Sequence, residues 1–361
     1  MFVALDENNH RITLTSHQQA RQLTGGRFHC PLCQQQVFIK NGVVLPAHFA
    51  HRQRPVGEGE PESAEHLAGK SWLATWLRQH ERPATLEYYD AAIRQRADLL
   101  IHQQPPKVLE FQASPLRIPD LKKRTTMYHR RGWQVSWILG RRYHDSQGKR
   151  QARKFLTLEN DVLTLWYLNV QIGTLSRLQL KNKGRFWTHY AHNNPPNQQW
   201  QPESVDGYRQ ARQIALSLQK RARPWMSLQA LAYEGRHNLQ GAPWVIHDQP
   251  HPLRHFGVPE LRLRAHWLLT FEGRSFTAAQ SQRFWVGALP DIWTPLLPAG
   301  TLAKKLDAHW LRLIKNAGFI GFDGSRYRWR QLPQWFADID RKLANTTRSS
   351  EQTRTHKKFK A

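Results

Sequence analysis

The chain has 361 residues, and its 53 Lys and Arg against 27 Asp and Glu leave a formal net charge of +26. That length allows roughly two or three compact units, and so positive a field calls for a polyanionic partner. No run approaches about 18 apolar residues and "MFVALDENNH" lacks the basic-then-apolar layout of a signal peptide, so a soluble, cytoplasmic protein is expected, with nucleic acid rather than membrane as its polyanion.

In chain order, "FVALDENNHRITL" alternates polar and apolar residues and predicts a hairpin turning at "ENNH". The next segment holds both cysteines of the chain: Cys30-x-x-Cys33 is followed after fourteen residues by His48-x-x-His51. Two thiolates and two imidazoles make a tetrahedral shell for zinc, and four protein ligands would make the ion structural. The spacing between the histidines is shorter than usual, and two buried thiols beside incidental histidines are the competing reading. "RPVGEGEPES" reads as a linker.

A helix is predicted from Glu62 to about Gln79. Glu62, His66 and Lys70 stand one and two turns apart on the stripe that Leu73 and Leu77 continue, so they point inward with the leucines. Glu65 flanks that stripe. Three strands follow, the second holding Asp98 and the third Glu110 and Gln112, which share a strand face. Adjacent strands would bring Asp98 and Glu110 together, where unpaired carboxylates repel and a divalent cation relieves them. Such a site polarises a phosphodiester and activates water. Edge carboxylates paired to Arg94, Arg96 or Lys107 on a solvated face are the alternative.

Residues 115–131 predict a basic helix and "GWQVSWIL" a fourth, buried strand. Between Arg117 and Lys154 there are twelve Lys or Arg against two Asp. This suits a phosphate-tracking surface, with Lys122, Lys123, Arg124, Tyr128, Arg130 and Arg131 as its DNA contacts, or else a solvated helix face. Residues 151–340 read as a Trp-rich, basic and mainly helical region. Residues 341–361, with seven Lys or Arg and one Glu, read as a disordered tail. The 15 Trp of the chain are candidates for base stacking or for core filling.

The motifs "CPLC…HFAH", "ESAEHLAGKSWL", "RADLLI", "LEFQAS" and "RTTMYHRRGWQVSWIL", in this order over about residues 25–145, resemble the competence protein CoiA-like family. The resemblance implies an α/β fold with a restriction-endonuclease-like core of the PD-(D/E)xK superfamily at residues 58–150. A small zinc-binding module at residues 1–57 would precede it. It makes Asp98 and Glu110 ligands of a catalytic Mg²⁺ or Mn²⁺, places Gln112 where that superfamily has a lysine, and sets Glu62 and His66 in the acidic helix. Arg124 and Tyr128 match the helix after the third strand. The implied role is DNA processing in competence, transformation and recombination by a metal-dependent deoxyribonuclease. Its partners would be DNA, single-stranded or in recombination intermediates, and recombination proteins. Glutamine in place of lysine removes a cation that stabilises transition-state charge. Lys70 would stand in for it from the helix; a catalytically weak or inactive DNA-binding recombination mediator is the alternative.

Overall fold

The computed structural model describes residues 1–52, 62–144, 146–181, 184–192, 194–247 and 252–345. Most of the expected linker lies outside the described residues. The chain divides into two compact units: Met1–Gln179 with Phe186–Trp200 and Thr294–Leu296, and Leu180–Arg185 with Gln201–Trp293 and Leu297–Ala361.

The first unit opens with the expected hairpin, β1 (Val3–Leu5) antiparallel to β2 (Arg11–Thr13). Asp6 closes the turn, its Oδ1 accepting from the N–H groups of Asn8 at 2.9 Å and His10 at 2.8 Å. Asn9 takes up the positive φ of 61° there. After a short helix, α1 (His17–Gln22), the strands β3 (Phe28–His29), β4 (Gln36–Lys40) and β5 (His48–His51) complete a five-stranded antiparallel sheet ordered β2-β1-β3-β4-β5. Ala4, Leu14, Phe28, Val37 and Phe49 form its core.

Ser63 caps α2 (Ala64–Gln79), its side chain accepting from the His66 N–H at 3.2 Å. Glu62 therefore stands just outside the helix rather than on its stripe. Strands β6 (Ala84–Asp90), β7 (Gln95–Ile101) and β8 (Lys107–Gln112) form an antiparallel meander. Helix α3 (Ile118–Arg130) then returns the chain to β9 (Gln134–Leu139), parallel to β8. Leu73 and Leu77 of α2 pack on Leu109 and Phe111, whereas Tyr128 of α3 packs with Val108. Alternation along β8 thus puts the two helices on opposite faces. Gly69 lets α2 approach closely, since a Cβ there would stand 2.2 Å from the Phe111 ring.

The sheet does not stop at residue 150. After α4 (Ser146–Ala152), strands β10 (Thr157–Glu159), β11 (Val162–Asn169), β12 (Thr174–Lys181), β13 (Gly184–Ala191) and β14 (Asn194–Pro202) extend it to the order β14-β13-β12-β11-β9-β8-β7-β6, with β10 on β11. Residues 157–202 therefore correct the mainly helical expectation for 151–340. In "TLSRLQLK" Leu178 and Leu180 are buried and alternate with half-buried Arg177 and Gln179, a period of two that suits a strand.

In the second unit α5 (Gly207–Gln219), α6 (Arg223–Glu234), α7 (Glu260–Phe271), α8 (Ala278–Ala288) and α9 (Thr301–Asn316) carry the helical character. A hairpin of β15 (Ile320–Phe322) and β16 (Tyr327–Trp329) follows. Trp267, Trp285 and Trp310 are fully buried, with Trp267 edge-on to Trp310 at 5.7 Å, so these indoles fill a core. The expectation of a disordered tail from 341 is corrected at its start. Residues 339–345 are helical, and the buried Lys342 amine lies 2.6 Å from His247 Nε2 and donates to the Ala242 carbonyl. Residues 346–361 lie outside the described residues. No described helix is long and apolar enough to cross a membrane.

Candidate functional site

Cys30 and Cys33 sit in the turn between β3 and β4, and His51 ends β5. Their ligand atoms all lie within 4.8 Å of one another, the one group of three or more His, Cys, Asp or Glu side chains to converge so among the described residues. Cys33 Sγ is 3.3 Å from His51 Nε2. Two sulfurs and an imidazole nitrogen are a donor set that zinc takes. His48 is not part of it, and the expectation of a Cys₂His₂ shell is corrected to Cys₂His. The reason is strand geometry: His48 and His51 are three residues apart on one strand and face opposite sides. His48 Nδ1 is instead 2.9 Å from the Pro46 carbonyl. With three protein ligands the zinc shell is no longer closed by the protein alone.

The acidic site gathers in the α/β core. Leu99 of β7 pairs with Leu109 of β8, so Asp98 and Glu110 stand on adjacent strands just beyond that pair, close enough for the Asp98 charge to act on Glu110. Asp98 Oδ2 accepts from the Phe111 N–H at 2.9 Å and lies 3.1 Å from His66 Nε2 on α2. From the opposite face α3 supplies Arg124, whose guanidinium donates to Glu110 Oε2 at 2.6 Å, and Tyr128, whose hydroxyl donates to Glu110 Oε1. Arg124 is also stacked over Trp137, 5.4 Å from the ring centroid.

Both acids are buried, yet their electrostatics diverge. Burial works against the Asp98 charge, but His66 and the Lys70 and Arg124 cations overcome it and hold the carboxyl well below its usual range. Burial pushes Glu110 up to about 7, against the pull of Arg124 and with the help of the neighbouring Asp98 charge. His66 is raised by Asp98 despite its burial. One carboxylate is thus held ionised and the other is poised near neutrality, the asymmetry that acid–base and metal sites use.

Lys70 and Glu62 have another employment than the one expected. The Lys70 amine is fully buried, with Nζ 2.7 and 2.8 Å from the two Glu62 oxygens and 2.5 Å from Glu87 Oε1. Its three N–H donors are all used, so none is left to replace the missing lysine of the strand. Glu62 also accepts from Arg96 at 3.1 Å and stands 3.4 Å from the Met1 amine. Glu87 completes the cluster: its Oε2 accepts from the Phe2 and Val3 N–H groups at 2.9 and 3.2 Å. The cluster thereby ties β1 to the α/β core. Glu87 carries no motif in the sequence. Its signal was a single acid between Leu86 and Tyr88 inside a strand, and its φ of 52° belongs to the fold alone.

Gln112 shares the strand face of Glu110 but donates from Nε2 to the Ser114 carbonyl at 2.7 Å. Of the six residues assigned to DNA, Lys122, Lys123, Arg130 and Arg131 are exposed. Tyr128 is fully buried and Arg124 is turned onto Glu110, which corrects their placement on an outer phosphate-tracking face. Arg131 pairs with Asp90 at 2.9 Å and lies over Trp133. Glu65, on the flank of α2, accepts from the Arg141 N–H at 2.6 Å.

With this geometry in hand, residues 12–56 match the family model of the competence protein CoiA N-terminal domain, and residues 62–185 match that of the competence protein CoiA nuclease-like domain. Over these two segments the chain is similar to the competence protein CoiA family. Its nuclease-like match runs to residue 185 and so takes in the strands beyond β9. Competence protein CoiA of Bacillus subtilis (strain 168) is 34% identical over 148 residues, 40% of this chain and 39% of that protein. The CoiA-like chain thus spans well under half the length of this curated relative. No solved structure matches.

Proposed function

We propose that this CoiA-like chain is a cytoplasmic DNA-processing protein of competence and recombination, and that its α/β core is a PD-(D/E)xK-type phosphodiester hydrolase dependent on Mg²⁺ or Mn²⁺. The observation that carries this reading is the pair of buried carboxylates on adjacent strands, Asp98 engaged by His66 of α2 and Glu110 by Arg124 of α3. The donor set fits a hard divalent cation: all oxygen, on facing strands, with one carboxyl driven up to about 7 beside the other. Asp98 and Glu110 would hold that ion, which when bound polarises the phosphodiester and activates water. His66 and the Phe111 N–H both engage Oδ2 of Asp98 and orient it. Tyr128 and Arg124 fix the rotamer of Glu110. Exposed Lys122, Lys123 and Arg130 hold the DNA backbone without reading sequence, while Arg124 stays committed to Glu110. Zinc on Cys30, Cys33 and His51 would cross-link the β3–β4 turn to β5.

A second reading, a DNA-binding recombination mediator without cutting activity, is favoured by Gln112 and by the spent donors of Lys70. The test incubates end-labelled single- and double-stranded DNA with the protein, with and without Mg²⁺ or Mn²⁺, beside an Asp98→Ala/Glu110→Ala variant. Metal-dependent cutting abolished in the variant is the expected result. Binding by both proteins with cutting by neither would leave the mediator, and absence of DNA binding would sink both readings.

A further inference from the structure

The second unit contains a polar cleft of about 710 Å³ lined by the start of α5, by the turn Pro252–Phe256 and by the first half of α7. Arg209, Arg254, Arg262 and Arg264 line it together with His255, against the acids Asp206 and Glu260, and Trp225 of α6 forms part of its wall. The pairing of these groups is selective. Glu203, with only 2% of its side chain exposed, lies 2.7 Å from His255 Nε2 and 3.6 Å from the Arg254 guanidinium. It also holds Arg185 at 2.9 Å. Glu260 holds Arg264 at 3.1 Å. Asp206 is occupied as the cap of α5, accepting from the Arg209 N–H at 3.0 Å. Arg209 and Arg262 have no carboxylate partner among the described residues. The cleft therefore carries two uncompensated guanidiniums beside a third, Arg254, held in place from beneath, with a half-buried indole on the same wall.

We propose that this cleft binds a nucleoside phosphate at the end of a nucleic acid strand, Arg209, Arg262 and Arg254 holding the phosphate and Trp225 stacking on the terminal base. Guanidinium forks match phosphate oxygens in pairs, and an indole face accepts any base. A terminal monoester carries close to two charges where an internal diester carries one, so uncompensated arginines discriminate in favour of an end. The volume suits one nucleotide rather than a duplex. The proposal rests on the reading that nucleic acid is the partner, but not on catalysis at Asp98 and Glu110.

The experiment measures binding of the full chain in EDTA to fluorescent single strands of one sequence ending in a 5′-phosphate, a 3′-phosphate or hydroxyls only. A free nucleoside monophosphate serves as competitor. The expected result is a preference of about tenfold for one phosphorylated end. Arg209→Ala/Arg262→Ala should lose that preference while binding the hydroxyl-ended strand within about threefold of the parent, and Trp225→Leu should weaken the phosphorylated strand alone. Arg209 and Arg262 support no buried acid, so the double variant should fold, and its far-UV circular dichroism checks this. Competition by the monophosphate at micromolar levels would assign the cleft to free nucleotide as well as to strand ends. Equal binding of all three strands, or a preference that survives the double variant, would overturn the proposal. Absence of binding to the hydroxyl-ended strand while the monophosphate still binds would instead refute nucleic acid as the partner and leave a nucleotide site.

Discussion

Lys70→Met is the perturbation that most sharply separates positioning from catalysis. The Lys70 side chain is fully buried and holds Glu87, whose side chain is 1% exposed, and Glu62, 19% exposed. Methionine keeps the volume and removes the charge. Glu87 would be left with the Phe2 and Val3 N–H groups as its partners, and removing one member of a buried ion pair costs about 3–5 kcal/mol. Adding Glu87→Gln removes the stranded charge while keeping an oxygen for those two N–H groups, so the double variant should recover about 2–3 kcal/mol, a coupling usual for contacting residues. Urea titrations of the four proteins of this cycle, with midpoint and slope compared, give the energies. DNA cutting per folded molecule at low temperature gives the second readout, and the double variant should cut like the parent. If Lys70→Met costs under about 1 kcal/mol, or if the two effects simply add, the amine is not the keystone of the cluster. If the double variant folds but does not cut, Lys70 acts on the phosphate after all.

Other outcomes follow from the same geometry. Lys70, Arg96 and the Met1 amine overcome the burial of Glu62 and lower it from 4.5 to about 2. A depressed carboxyl contributes stability that is complete above the unfolded value and lost as pH falls. Acid unfolding should therefore steepen between about pH 4.5 and 2, by roughly 3 kcal/mol, and Glu62→Gln should flatten it; an unchanged acid limb would refute the assignment. Zinc should bind with one equivalent per chain, be lost in Cys33→Ser and His51→Gln, and persist in His48→Gln, as metal analysis after dialysis would show. Loss of zinc in His48→Gln would restore the four-ligand shell. Gly69→Ala should lower stability by about 1–3 kcal/mol in spite of its better helix propensity, because the new methyl meets the Phe111 ring. A rise in melting temperature would show that α2 can yield.

Much was legible in the residues themselves. The helix beginning near Glu62, the three strands, the basic helix and the fourth strand are local patterns of period and turn chemistry, and they position Asp98 and Glu110 on neighbouring strands without any knowledge of packing. The two cysteines marked a candidate metal module, since a disulfide closing so short a loop would gain little.

What the residues alone could not decide lies across space. The parity of a strand separated His48 from His51, which requires knowing that "HFAH" is extended. The partners of Lys70 come from β6 and from the segment before α2, so its donors looked free in the sequence and are spent in the fold. Arg124 and Tyr128 belong to a helix whose exposed face does carry the lysines, and only the crossing of α3 over β8 turns these two onto Glu110. The strands between 157 and 202 are partly polar and gain their stability by extending a sheet already begun at β9, so their type was decided by a template distant in sequence. Charge and motif thus pointed to the kind of chemistry proposed for this protein. Tertiary packing determined which side chains remain available for it, because a buried charge must take its partner from whatever the fold brings within reach.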